Sequence, residues 1–215
     1  MKPLVIFDND GTLVDTENVS TASLSEMAAE LGLDIPPHVA KQRFTGRHTA
    51  DCFAELSAES GQELDPAWLE MHAEKFVARI EHELTIMPHI DWALAQLDCA
   101  ICIGSNAGLD HVERCLRISG LDRFFAEHHR FSAYMFDAWK PEPTVFLEAA
   151  KAMGYPPEHC AVVEDSAVGM QAGVSAGMTV FGYIPEGMPT GAPTHGVIYY
   201  DDHRTLPKLI KDHLN

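Results

Sequence analysis

Leu4-Val5-Ile6-Phe7-Asp8-Asn9-Asp10-Gly11-Thr12 is the stretch on which the reading of this chain turns. Leu4 to Phe7 is a short apolar run, β-branched and aromatic at its centre and end, and it reads as a buried strand. Asp8 and Asp10 follow at once, two positions apart, where the strand opens into a loop. In open α/β sheets ligands bind outside the carboxyl ends of the strands. Gly11 allows the backbone a sharp turn there. The two carboxylates therefore share one rim, close enough to act on one substrate atom. The plainer alternative is an Asp-Gly turn with Asp8 as a helix cap. The strict order of strand, Asp-x-Asp, Gly, Thr and Leu13-Val14-Asp15 speaks for more than a turn.

With 215 residues the chain can bury a full core, as one domain with an insertion or as two small ones. Its 32 acids against 15 Lys plus Arg give a formal charge of −17. Such a surface repels nucleic acid and anionic membranes, so neither is expected as a partner. It repels a phosphorylated substrate as well, unless a metal ion or a placed lysine supplies local positive charge. The five cysteines (Cys52, Cys99, Cys102, Cys115, Cys160) are odd in number. Cys99 and Cys102 lie in an apolar stretch and read as buried strand thiols rather than a redox or zinc pair. Reduced thiols and a leading apolar run too short for a signal peptide point to the cytoplasm. No run approaches the ~20 apolar residues that a membrane span needs.

Residues 16–83 read as almost wholly helical. Val19, Ser23, Met27 and Leu31 recur at helical spacing after a possible cap at Thr16, and Gly32 ends that helix. Pro36-Pro37 opens a short second helix that ends near Thr45-Gly46-Arg47. Thr49 opens a third, with Cys52, Phe53 and Leu56 inward. Asp65-Pro66 opens a fourth as cap and first-turn proline, with Leu69, Ala73, Phe76 and Ile80 as its apolar stripe. From Met87 strands and helices alternate. Strands are expected over 99–103, 160–163, 178–181 and 196–200, and helices over 89–97, 110–118, 143–153, 168–176 and 205–214. This alternation predicts an α/β fold, a doubly wound, mainly parallel sheet of Rossmann-like form with a helical insertion after its first strand. The divisions expected are residues 1–15 and 84–215 for the α/β core and 16–83 for the helical part.

Parallel strands bring their carboxyl ends to one side, so distant polar residues can converge there. Ser105-Asn106 follows the strand at 99–103 and offers a hydroxyl and N–H groups to an anion, or else an ordinary helix cap. Lys140 sits in Trp139-Lys140-Pro141-Glu142-Pro143, a loop stiffened by two prolines; most lysines are simply solvated. Glu164-Asp165 follow Val162-Val163, and two acids at a buried rim ask for a counter-ion. They suit Mg²⁺, or they are solvated loop acids with Asp165 capping the next helix. The twelve histidines show no metal-ligand spacing and read as solvated or core residues. Phe124, Phe125, Phe131 and Phe136 read as core.

Taken together, Asp8-Asn9-Asp10-Gly11-Thr12, Ser105, Lys140-Pro141-Glu142-Pro143 and Glu164-Asp165 resemble, in order, the four signatures of the haloacid dehalogenase-like hydrolases, most closely the phosphatases among them. The resemblance implies hydrolysis of a small phosphate monoester, by default a sugar or sugar-acid phosphate, with Mg²⁺ as cofactor. It implies that Asp8 is the nucleophile and carries an aspartyl-phosphate, that Asp10 is the acid and base, and that Lys140 neutralises phosphate oxygens. Ser105 and Asn106 hold the phosphoryl group, and Gly11 and Thr12 shape the phosphate-binding loop. Asp8, Asp165 and the main-chain carbonyl of Asp10 are the implied metal ligands, with Glu164 binding directly or through water. The helical insertion would be a cap over the active site. Thr45-Gly46-Arg47 matches a cap loop that often faces substrate, so Arg47 meets the substrate or is a surface arginine. Three rivals share the fold. A dehalogenase would lack Asp10 as acid and base. A β-phosphoglucomutase-like enzyme would carry His where this chain has Ser20. A non-enzymatic relative would have lost Asp8 or Asp10.

Overall fold

The structure, a computed structural model, describes residues 2–44 and 49–214. β1 (Leu4–Phe7) is followed by four helices, α1 (Thr16–Glu30), α2 (Pro37–Phe44), α3 (Thr49–Ser60) and α4 (Pro66–Glu83). The chain then alternates through α5 (Ile90–Gln96), β2 (Ala100–Ser105), α6 (Leu109–Ser119), β3 (Arg130–Ser132), α7 (Thr144–Met153), β4 (Cys160–Glu164), α8 (Ala167–Ser175), β5 (Thr179–Tyr183), β6 (Val197–Tyr200) and α9 (Leu206–Leu214). Two compact units result, Met1–Val14 with Ile86–Asn215, and Asp15–Thr85.

In the first unit all six strands run parallel in the order β3-β2-β1-β4-β5-β6. β1 is central and fully buried, which is why its sequence is an unbroken apolar run. Leu4 and Ile6 point to one face and join a core with Val145 and Phe146 of α7 and Met170 of α8. Phe7 points to the other face and meets Phe125 edge-on, with ring centroids 6.1 Å apart. Phe7 pairs with Ile103 of β2 and Val163 of β4, so β1 ends two residues before β2 and one before β4 on the same side of the sheet. The winding reverses between β1 and β4, and that reversal is where open parallel sheets form their ligand crevice.

β3 was not expected from the sequence. Three residues are too short to show a periodic pattern, and its pairing of Gly104 with Phe131 is supplied by β2. Phe125 and Phe131 are buried as expected, while Phe124 and Phe136 are half-buried. Cys102 is buried in β2, Cys99 lies half-buried just before it, and all five thiols are free.

The second unit packs α1 to α4 around Leu24, Met27, Ala28, Ile35, Phe44 and Leu56. Asp65 caps α4 by accepting from Ala67 N at 2.7 Å, with Pro66 in the first turn. α1 is capped one residue earlier than expected, by Asp15, which accepts from Asn18 N at 3.1 Å. The inward stripe of α4 also differs: Ala73 is exposed and His72 is buried. His72 can turn inward because its Nε2 lies 3.0 Å from Glu30 Oε2, which removes the penalty for burying a lone polar ring. Among the described residues no helix is long and apolar enough to cross a membrane.

Candidate active site

β1 delivers Asp8 to the rim, where its N–H continues the sheet by donating to Val163 O at 2.9 Å. The chain then folds back on itself. Leu13 N and Val14 N both donate to Asn9 O, and Gly11 N donates to Val14 O at 2.8 Å. Gly11 has φ +84°, and a Cβ there would lie 2.2 Å from Asp165 Oδ2. Only glycine makes this turn and leaves that carboxylate its place. Thr12 is fully buried and donates its hydroxyl to Asp165 Oδ1 at 2.9 Å. The Gly11 N–H and the Thr12 hydroxyl are thus both engaged inside the loop. They build the loop and fix Asp165.

Lys140 arrives from the loop before α7, and its peptide bond to Pro141 is cis. The ammonium is buried, 2.5 Å from Asp8 Oδ1 and 2.7 Å from Glu164 Oε1, and it lies over the Phe146 ring at 4.8 Å. Burial opposes its charge, but Asp8 and Glu164 hold its pKa well above the ordinary lysine value. Asp8 is pushed up to about 7, first by burial and then by the Glu164 and Asp10 carboxylates, against the pull of Lys140.

Glu164 closes β4 and is buried. Its Oε1 accepts from Lys140, and its Oε2 accepts from the N–H and hydroxyl of Ser166, each at 2.9 Å. Gly169 makes room for it, since a Cβ there would lie 1.8 Å from Glu164 Oε1. Ser166, not Asp165, caps α8 by accepting from Gly169 N at 3.0 Å. Asp165 is released from capping because Thr12 holds it.

Ser105 ends β2, and its Oγ accepts from Ala107 N at 3.0 Å. It does not cap α6, where Gly108 stands. Asn106 Oδ1 accepts from Lys140 N at 2.9 Å, so this side chain fastens the lysine loop. Arg47 lies outside the described residues.

The structure also brings in a residue that the sequence reading passed over. His111, in the first turn of α6, places Nε2 2.8 Å from Asp10 Oδ1. Burial opposes a charge on this ring, but hydrogen bonds to Asp10 and Cys115 carry its pKa up to about 11. The Asp10–His111 pair therefore keeps a proton at neutral pH. No ligand motif marks His111; the available signal was its place one turn into the helix that follows the Ser105 strand. A second histidine, His203, is buried and bonds to Thr12 O at 3.1 Å and to Tyr200 Oη at 3.1 Å. Burial lowers its pKa to about 4, so the neutral ring donates from Nε2 to the Thr12 carbonyl and accepts from Tyr200 at Nδ1.

Carboxylate oxygens of Asp8, Glu164 and Asp165 all lie within 4.8 Å of one another, a grouping that could hold a metal ion. The donors are hard oxygens, as Mg²⁺ or a similar cation requires. One further observation fits a cation there: the cradle left by Gly11 lets Asp165 approach.

A sequence profile of haloacid dehalogenase-like hydrolases matches residues 2–177. A 6-phosphogluconate phosphatase of Escherichia coli K12 is 31% identical over 210 residues, covering 96% of this chain and 94% of its own length. Among solved structures, a haloacid dehalogenase-like protein from Agrobacterium tumefaciens is 28% identical with TM-score 0.87, each chain covered over 100% of its length. A hydrolase of the same family from Deinococcus radiodurans, crystallised with phosphate and sodium, is 25% identical with TM-score 0.82, covering 99% of this chain and 96% of its own. Sequence, sheet order and the convergence of Asp8, Lys140, Glu164 and Asp165 agree: the chain belongs to the haloacid dehalogenase-like hydrolases.

Proposed function

We propose that this phosphoric monoester hydrolase is Mg²⁺-dependent and cleaves a small sugar phosphate or sugar-acid phosphate through an aspartyl-phosphate. The observation that carries the reading is the buried contact of Lys140 with both Asp8 and Glu164, beside Asp165, at the winding reversal of the sheet. The Asp8 carboxylate attacks phosphorus, and the bond from phosphorus to the ester oxygen breaks. Asp10 gives a proton to the departing alcohol. Asp10 then takes a proton from the water that attacks the acyl phosphate, which frees inorganic phosphate and restores Asp8. Lys140 keeps Asp8 oriented and offsets charge on the phosphoryl oxygens. Ser105 accepts from Ala107 N and keeps its hydroxyl proton to donate to phosphate. Asn106 holds Lys140 in place and has its amide N–H groups left for the substrate.

Asp8, Asp165 and the Asp10 carbonyl would hold the metal. Both Glu164 oxygens have partners, which favours contact through water over direct ligation. Mg²⁺, when bound, offsets charge on the phosphoryl oxygens and on the surrounding carboxylates. The helical unit Asp15–Thr85 is assigned the role of the substrate-selecting cap, with Arg47 as a contact for an acidic or sugar substrate. Similarity to a 6-phosphogluconate phosphatase over nearly the whole chain supports the sugar-acid class.

The test is phosphate release with Mg²⁺ over a panel of sugar phosphates, sugar-acid phosphates, nucleotides and phosphoglycolate. One sugar or sugar-acid phosphate should stand out, and Asp8→Asn should fold normally and release nothing. Hydrolysis by Asp8→Asn would place the nucleophile elsewhere. Glucose phosphate isomerised without phosphate release would make the enzyme a mutase. Full turnover in excess EDTA would refute the metal assignment.

A further inference from the structure

We propose that Asp10, His111 and Cys115 form a second metal site, separate from the oxygen cluster, that takes Zn²⁺. Three different donors meet there, and their ligand atoms all lie within 4.8 Å of one another. Cys115 Sγ lies 3.5 Å from His111 Nε2, and that nitrogen lies 2.8 Å from Asp10 Oδ1. In a tetrahedral zinc site, bond lengths imply N···S near 3.5 Å and N···O near about 3.3 Å. The first separation is already met. The second requires Asp10 to withdraw by about half an ångström, with the ion replacing the proton now between the pair. The Asp10 side chain is 31% exposed and can make that movement, and it leaves an entry path for the ion.

His111 and Cys115 are four residues apart on α6, so one rigid face carries both donors. The donor chemistry separates this site from the first. Asp8, Glu164 and Asp165 offer only hard oxygens, which suit Mg²⁺, whereas imidazole and thiolate select a softer ion. The Cys115 thiol is fully buried and has no part in the hydrolytic steps. Three protein ligands leave a fourth position for water. The consequence rests on the role proposed for Asp10: a carboxylate bound to zinc neither gives nor takes a proton, so occupancy silences turnover.

The experiment uses the intact protein in saturating Mg²⁺, with Co²⁺ as the spectroscopic probe and Zn²⁺ as the inhibitor. One equivalent of Co²⁺ should give a near-ultraviolet thiolate-to-cobalt band that Cys115→Ser lacks. Cys115→Ser should keep its Mg²⁺-supported turnover and need at least about tenfold more Zn²⁺ for half-inhibition, because a lost ligand costs no less than a lost outer partner. Cys115→Ala supplies the same two readouts should the serine hydroxyl disturb packing. A band that survives both substitutions, or no band in the unaltered protein, would overturn the site. Equal zinc sensitivity of variants and parent would also overturn it, since the inhibitory zinc would then act without Cys115, as at the oxygen cluster. A Cys115-dependent band with unchanged turnover would keep the zinc site and refute the proton-transfer role of Asp10.

Discussion

Replacing His111 by alanine should slow the enzyme on substrates whose leaving group needs a proton and spare those whose leaving group does not. His111 donates one charge-assisted hydrogen bond, 2.8 Å long, to the Asp10 carboxylate. Such bonds contribute about 1.5–3 kcal/mol, which at about 1.4 kcal/mol per decade is a factor of about 10 to 100 in rate. The two side chains are 24% and 31% exposed, so water weakens the bond and the lower figure, about tenfold, applies. The ceiling is the whole contribution of a general acid, about 10²- to 10⁴-fold. The assay compares kcat/KM for an alkyl or sugar phosphate with kcat/KM for p-nitrophenyl phosphate, since nitrophenolate departs without a proton. This ratio reports only steps up to phosphorylation of Asp8, so the later role of Asp10 as base does not blur it. His111→Ala should lower kcat/KM about tenfold for the alkyl ester and by less than about threefold for the aryl ester. It should also expose a burst of nitrophenolate as breakdown of the acyl phosphate slows. Equal losses on both substrates would show that His111 supports the fold or the phosphate pocket, and the reasoning from the Asp10 contact would fail.

Gly11→Ala brings a Cβ to 2.2 Å from Asp165 Oδ2 at a backbone with φ +84°. It should cost more than about 1 kcal/mol of stability and raise the Mg²⁺ concentration for half-maximal activity about tenfold or more. Unchanged melting and metal dependence would mean the loop relaxes freely. Burial holds His203 neutral, with its pKa lowered from 6.5 to about 4. On acidification the unfolded chain takes up this proton first, so the His203 contribution is complete above about pH 6.5 and is lost as pH falls toward about 4. The loss amounts to about 3 kcal/mol. Urea unfolding at about pH 7.5 and about pH 4.5 should show a smaller drop for His203→Gln than for the parent, and an equal drop would assign the acid sensitivity to other groups. Asn9 lies between the two site aspartates, fully buried, and neither polar atom of its amide has a protein partner among the described residues. Asn9→Leu should raise the midpoint of thermal unfolding, by about 1 kcal/mol or more in stability; a lower midpoint would show that the amide is satisfied.

Short-range features made much of this protein legible in one dimension. An apolar run ending in Asp8 and Asp10 reads as a strand entering a polar rim, and strand-helix alternation after residue 86 reads as a mainly parallel sheet. Asp65-Pro66 announces a helix start because capping is settled within three residues. Where local signals were weak or two residues competed, the reading slipped by a position. Asp15 rather than Thr16 caps α1.

Sequence by itself determined the α/β class, the helical insertion and the order of Asp8, Asp10, Ser105, Lys140, Glu164 and Asp165, because each is written in periodicity, turn chemistry or motif. Tertiary structure alone decided what each side chain does with its atoms. Lys140 meets Asp8 across 132 residues, Thr12 spends its hydroxyl on Asp165 rather than on a ligand, Asn106 ties down the lysine loop, and His111 reaches Asp10. These contacts depend on the register of β1, β2 and β4, and no local pattern encodes which rim residues end within 3 Å of one another.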